Sequence, residues 1–211
     1  SRATIIVGAY DDDGDSSWYS NYGANLLVSA PSSGDTSLGN KRLVTTDLAG
    51  ELGYGPGDWT DTGNGFGGTS GASPIVAGVV TLMLDANGSL GWRDVQTILA
   101  YSAREAGSGI GGTPTDTEFH TWFYNGADNW NGGGLHYSED FGYGAVDAYN
   151  AVRMAEVWSL FGAPQASANE SSFAQSTTES VALADGMVTD FFFVFCGAAF
   201  AVEFVDVSLV L

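Results

Sequence analysis

Gly67-Gly68-Thr69-Ser70-Gly71-Ala72-Ser73-Pro74 runs directly into Ile75-Val76-Ala77-Gly78-Val79-Val80-Thr81-Leu82-Met83-Leu84, and this stretch decides the fold. Glycine ahead of Thr69 permits a tight backbone entry that a side chain would block. The apolar run has helical length and meets its first charge only at Asp85, which predicts a largely buried helix. Pro74 has no amide hydrogen for the Ser70 carbonyl, a loss tolerated only near a helix start. Ser70 therefore sits in or beside the first turn. Free amides and the positive end of the helix dipole stabilise negative charge there. Such a serine can add to a carbonyl while its own amide holds the oxyanion. The alternative for the same turn is a plain serine cap. A phosphate-cradling loop is excluded, because no lysine follows the last glycine.

Gly68 to Pro74 is similar to the Gly-Thr-Ser-x-Ala-x-Pro signature around the nucleophile of subtilisin-like serine proteases. Gly91-Trp92-Arg93-Asp94-Val95-Gln96 resembles a stretch of the kexin/furin-like branch. So do Ile6-Val7-Gly8-Ala9, Tyr19-Ser20-Asn21, Val44-Thr45-Thr46-Asp47 and Tyr143-Gly144-Ala145-Val146-Asp147-Ala148. The resemblance implies an α/β fold, specifically the C-terminal part of a subtilisin-like parallel-sheet domain over residues 1–161. It implies a linker over 162–180, and over 181–211 the opening strands of a truncated jelly-roll segment like the P or Homo B domain. It implies peptide-bond hydrolysis through an acyl-enzyme on Ser70, with the Ser70 amide and Thr69 serving the oxyanion. A secreted or cell-surface protein acting on polypeptide follows from the same likeness, as does structural Ca2+. In that branch a glutamate just after the Tyr-Ser pair often binds calcium; here the chain has Asn21-Tyr22.

Serine needs a base to take its proton. The subtilisin order is Asp, His, Ser along the chain, yet His120 and His136 both follow Ser70. The resemblance thus places the triad Asp and His, and the oxyanion Asn, in an N-terminal part of the catalytic domain that activity requires. The 211 residues alone are expected to be inactive. Two rival readings use only these residues. One is an esterase-like hydrolase built from Ser70, Asp116 or Asp128, and His136; however, Ala72 stands where a nucleophile elbow needs glycine. The other is a non-catalytic, acidic, calcium-stabilised surface or adhesion module, which would leave the Gly68 to Pro74 signature idle. His120 and His136, beside Glu118 and Glu139, also raise a metal pair, but their spacing matches no common zinc pattern.

Composition narrows the partners. With 25 acidic against 6 basic residues the net charge is −19. Phosphate binding needs clustered Lys and Arg, so nucleic acid and anionic membrane surfaces are excluded as partners. The longest uncharged apolar stretch in the C-terminal part, 191–202, is too short to span a bilayer as a helix. Cys196 is the only cysteine, which rules out an intrachain disulfide; eukaryotic members of the kexin-like branch usually carry disulfides, so the resemblance implies a bacterial-type member. The chain opens Ser1-Arg2-Ala3, without an initiator methionine or a leader-like run.

Along the chain, Ala3 to Tyr10, Asn25 to Ala30 and Arg42 to Thr46 read as short strands rich in apolar and β-branched residues. Asp11-Asp12-Asp13-Gly14-Asp15 is a solvated acidic turn or a calcium loop, though it lacks the distant Glu of an EF-hand. Residues 47–67 form a long Gly/Asp/Thr-rich loop expected to edge the cleft. Trp92 to Arg104 and Ala145 to Leu160 carry helical spacing. Residues 106–134 are irregular and aromatic, and 164–179 are Ser/Ala/Thr/Gln-rich.

Overall fold

The computed structural model describes residues 3–60, 65–109, 111–114, 117–124 and 135–170. Asp116, Asp128 and the segment 181–211 lie outside the described residues.

Strand β1 (Val7–Tyr10) pairs in parallel with β2 (Val28–Pro31), Val7 opposite Val28 and Ala9 opposite Ala30. Parallel strands need a crossover between them and are covered on their faces, which suits their apolar sequences. Ala145 extends the same layer: it bridges Ser29 in parallel and Arg104 in antiparallel fashion. A short antiparallel pair, β3 (Phe123–Tyr124) with β4 (His136–Tyr137), lies in the aromatic region.

Helix α1 (Thr69–Ala86) starts from Gly68 and ends at Asn87, whose amide donates to the Met83 carbonyl at 2.9 Å. Its buried residues, Ala72, Val76, Val79 and Met83, repeat at helical spacing and pack on β1 and β2. The expectation of a largely buried helix needs correcting, since only this stripe is covered. Leu82, outside that stripe, is 53% exposed. Among the described residues, α1 is the one helix long and apolar enough to cross a membrane, yet its buried stripe belongs to the sheet.

Helix α2 (Trp92–Ser102) buries Val95, Ile98 and Leu99. Helix α3 (Ala148–Val157) is capped by Asp147, which accepts the Asn150 amide at 2.9 Å, and it continues into a 3-10 turn at Trp158–Leu160. Ala72 on α1 and Ala151 and Ala155 on α3 are fully buried. Side chains this small let α1 and α3 approach closely. The result is the α/β layering expected from the sequence.

Two local expectations come out differently. Arg42 to Thr46 is not a continuous strand: Leu43 bridges Phe66 and Thr46 bridges Trp59. Between these bridges the Thr60 hydroxyl replaces a backbone partner, accepting the Thr45 amide at 2.9 Å and donating to the Leu43 carbonyl at 3.1 Å. The start of the supposed linker is tied down. Asp94, 2% exposed, accepts the amides of Gly91 and Gln165, each at 2.8 Å, and the Trp158 indole N–H at 2.8 Å. Arg93 donates to Gln165 Oε1 at 3.0 Å and Asn169 Oδ1 at 2.7 Å. A Cβ on Gly91 would lie 2.0 Å from the Gln165 carbonyl oxygen, so glycine is needed for this approach.

Candidate active site

The site is built where α1 begins. Gly68 has φ +79° and ψ 170°, a conformation essentially reserved for glycine. Its carbonyl accepts the Gly71 amide at 2.8 Å and the Ser32 hydroxyl at 2.7 Å. Gly67 is equally constrained, because a Cβ there would stand 2.1 Å from Ser33 Oγ. The two glycines therefore have separate reasons: Gly68 sets the angle of entry, and Gly67 lets the chain lie against Ser33.

Tyr19 supports this entry from below. Its hydroxyl donates to the Ser33 carbonyl at 2.7 Å and accepts the amides of Ser33 at 3.1 Å and Gly68 at 3.2 Å. Burial pushes the Tyr19 phenol up, but hydrogen bonds from Ser17, Ser32 and Ser33 outweigh it and leave the group lowered. Sequence reasoning saw Tyr19 and Ser20 only as satellites and gave Ser32 and Ser33 no role. The signal available was a tyrosine between small polar residues, which says nothing about a partner 49 residues away.

Ser70 follows in the first turn and is exposed. Among the described residues, no acceptor takes the amides of Thr69 or Ser70, and no partner takes the Ser70 hydroxyl. Thr69 is half-buried and its carbonyl accepts the Ser73 hydroxyl at 3.0 Å. That hydroxyl supplies a donor in the turn that Pro74 interrupts. Cavities flank the turn on two sides. One, about 570 Å³, is walled by Trp18, Tyr19, Tyr54, Phe66, Arg42 and Gly68. The other, about 350 Å³, lies between Ile5 to Val7 of the β1 flank and Thr69 and Ser73. The loop 47–67 thus contributes a wall of the site through Tyr54 and Phe66.

Neither histidine is brought to Ser70. His120 Nδ1 lies 3.2 Å from Asp140 Oδ1, and its Nε2 lies 3.4 Å from Glu139. Asp140, 2% exposed, also accepts the Phe119 and His120 amides at 3.0 and 2.7 Å, organising a loop whose sequence gave it no prominence. His136 packs edge-on against Trp122, and its buried Nε2 has no hydrogen-bond partner among the described residues. Burial lowers its pKa, with Glu105 opposing. Beside it, burial and the neighbouring Tyr143 push Tyr137 up to about 12.

The metal readings meet poor donor sets. Glu118 is buried and bound to the Ser108 amide (2.8 Å) and hydroxyl, so it does not join the histidines. In the acidic turn, Asp11 accepts the Asp13 and Asp15 amides, each at 3.1 Å. Asp12 accepts the Lys41 amide at 2.8 Å, and Asp13 accepts from Asn40 at 2.9 Å. Among the described residues no group of three His, Cys, Asp or Glu side chains could hold a metal ion. The carboxylates of Asp11, Asp12 and Asp13 are thus engaged by amides of the turn and by Lys41 and Asn40, and do not fit a calcium site as they stand.

A tight glycine entry, an exposed serine at a helix mouth and a parallel sheet behind it agree with the signature in the sequence. The model of the subtilase family matches residues 1–144. The chain belongs to that family. Human proprotein convertase subtilisin/kexin type 7 is 32% identical to this subtilase over 155 residues, covering 74% of this chain and 17% of the relative. Protease KEX1 of Kluyveromyces lactis is 36% identical over 155 residues, with the same two coverages, 74% and 17%. Furin-1 of Xenopus laevis is 31% identical over 159 residues, covering 75% of this chain and 17% of the relative. The subtilase chain therefore spans about a sixth of the length of these curated relatives, 17% in each case. Among solved structures, the serine protease of Aeromonas sobria in complex with its chaperone superposes with a TM-score of 0.55 at 24% identity. It covers 76% of this chain and 30% of that one, a likeness that concerns the fold alone. Kexin- and furin-type convertases are thus among the relatives of this subtilase.

Proposed function

We propose that Ser70 is the nucleophile of a serine endopeptidase and that this chain is the part of its catalytic domain that carries the nucleophile. The observation behind the proposal is an exposed, unpartnered Ser70 hydroxyl at the mouth of α1, with unengaged amides beside it and cavities on either side. In the reaction, Ser70 Oγ bonds to the carbonyl carbon of the substrate and its proton passes to a base. The carbonyl oxygen takes the negative charge and is held by the Ser70 amide, with Thr69 supporting that end of the helix. The proton then goes to the leaving amine as the C–N bond breaks. Water cleaves the acyl-enzyme and restores the hydroxyl.

The base, its orienting carboxylate and the oxyanion amide side chain are assigned to an N-terminal part of the catalytic domain. Loss of the base costs subtilisin about a million-fold in turnover, so residues 1–211 alone should show no more than trace cleavage. The esterase-like set of Ser70, Asp128 and His136 is not favoured, because His136 packs against Trp122 and makes no bond to Ser70. The proposal further takes 181–211 as the opening of a P-like β domain and the protein as secreted or cell-surface. Any structural calcium would need ligands other than the Asp11 to Asp15 turn.

The test is hydrolysis of an internally quenched peptide by the full-length protein and by its Ser70→Ala variant. Turnover that falls by several orders of magnitude in the variant supports the reading. Equal turnover in both would end it.

A further inference from the structure

The larger cavity beside the nucleophile turn carries a cation that no described carboxylate engages. Only six residues of this chain are basic. Among the described ones, Lys41 faces Asp12 at 3.7 Å, Arg93 holds residues 165–169, Arg104 pairs with Asp147 at 3.0 Å, and Arg153 pairs with Glu156. Arg42 differs. It is exposed, lines the cavity, and its one recorded bond among the described residues is a long 3.4 Å donation to the Gly65 carbonyl. No described carboxylate pairs with it.

The walls around Arg42 are Trp18, Tyr19, Tyr54 and Phe66, and Gly68 connects the cavity to the turn carrying Ser70. Its volume of about 570 Å³ admits one long side chain together with water. Aromatic walls contact a methylene stem, and a guanidinium offers a planar donor fork matched to a carboxylate. In a chain of net charge −19, an arginine with no carboxylate partner among the described residues is the feature that lets an anion approach this point.

We propose that this cavity is a substrate subsite taking an acidic side chain, Asp or Glu, of the polypeptide next to the cut, with Arg42 pairing its carboxylate. The proposal rests on the reading of Ser70 as the nucleophile of peptide hydrolysis and adds the class of residue the enzyme selects there.

The test uses the full-length protein carrying Ser70→Ala. Fluorescein-labelled alanine hexapeptides, with one Glu, Lys or Phe scanned through the positions, are titrated by anisotropy. At one position the Glu peptide should bind about two- to fivefold more tightly than the Lys peptide, the range for a solvent-accessible charge pair. Arg42→Gln should bring that ratio close to one, Arg42→Glu should invert it, and Arg42→Lys should keep part of it. High salt should shrink it. Because each ratio is taken within one variant, general damage to binding cancels. A ratio unchanged in Arg42→Gln overturns the proposal, as does a Phe peptide that binds best whatever stands at position 42. A parallel assay with Ser70 intact separates the two readings: if no Ser70-dependent hydrolysis occurs, the nucleophile reading falls, while the binding ratios still decide the subsite.

Discussion

Tyr19→Phe in the full-length protein isolates the support beneath the nucleophile turn. The substitution keeps the ring and removes one oxygen. That oxygen accepts two amides, those of Ser33 and Gly68, and donates to the Ser33 carbonyl at 2.7 Å. At about 1 kcal/mol net per hydrogen bond, three bonds give roughly 3 kcal/mol. Tyr19 is only half-buried, so water can reach part of the vacated site and the expected loss is about 2 kcal/mol. Urea unfolding of parent and variant measures it, as a lower midpoint with an unchanged slope. The Gly68 amide also loses its anchor, so Ser70 labelling by a fluorophosphonate should slow as well. A stability change below about 0.5 kcal/mol, the level of an indifferent surface substitution, together with unchanged labelling would refute the claim that this phenol holds the turn.

Three further outcomes follow from the same geometry. Gly68→Ala should cost about 2 kcal/mol in denaturant unfolding, because its φ of +79° with ψ of 170° strains any side-chain-bearing residue; no change would mean the turn adopts another conformation. Asp94→Asn should loosen residues 164–169 from α2, since the amides of Gly91 and Gln165 and the Trp158 indole all converge on that carboxylate. Faster limited proteolysis within 162–170 is the expected reading, and an unchanged cleavage rate would contradict it. The third concerns pH. His136 has its folded pKa depressed by burial, so its neutral form is favoured in the native state. Stability is then full above the ordinary histidine value near about 6.5 and is lost as pH falls through and below it, because the unfolded chain takes the proton first. Unfolding curves at pH 7.5 and 5.5 should differ less in His136→Phe than in the parent, and equal pH dependence would contradict the assignment.

How much of this was readable in the residues depends on how local the physics is. The Ser70 turn was legible because its causes are adjacent: glycines for the entry, Pro74 for the helix start and an apolar run behind them. The three helices were legible for the same reason, their buried stripes repeating every three or four residues. Tyr19 was not, because its partners Ser33 and Gly68 lie 14 and 49 residues away. Asp94 looked like an ordinary first-turn acid on α2 until Gln165 and Trp158 met it from 71 and 64 residues downstream. The strand expected over Arg42 to Thr46 failed on one side chain, the Thr60 hydroxyl, which no β-propensity anticipates. Ser/Ala/Gln composition reads as linker whether or not a buried arginine and aspartate grip it, and residues 164–169 show that it can be gripped. The cation in the flanking cavity was hidden similarly, since nothing near Arg42 in sequence marks it as facing Phe66 and Gly68.

The central claim is that the Ser70 hydroxyl is a nucleophile awaiting a proton acceptor from elsewhere in the protein. Treating the full-length protein with a fluorophosphonate and locating the adduct by peptide mass spectrometry tests it directly. The account predicts a single phosphonylated site at Ser70, absent from Ser70→Ala. Labelling at another serine, or none at Ser70 while the protein cleaves peptide, would contradict it.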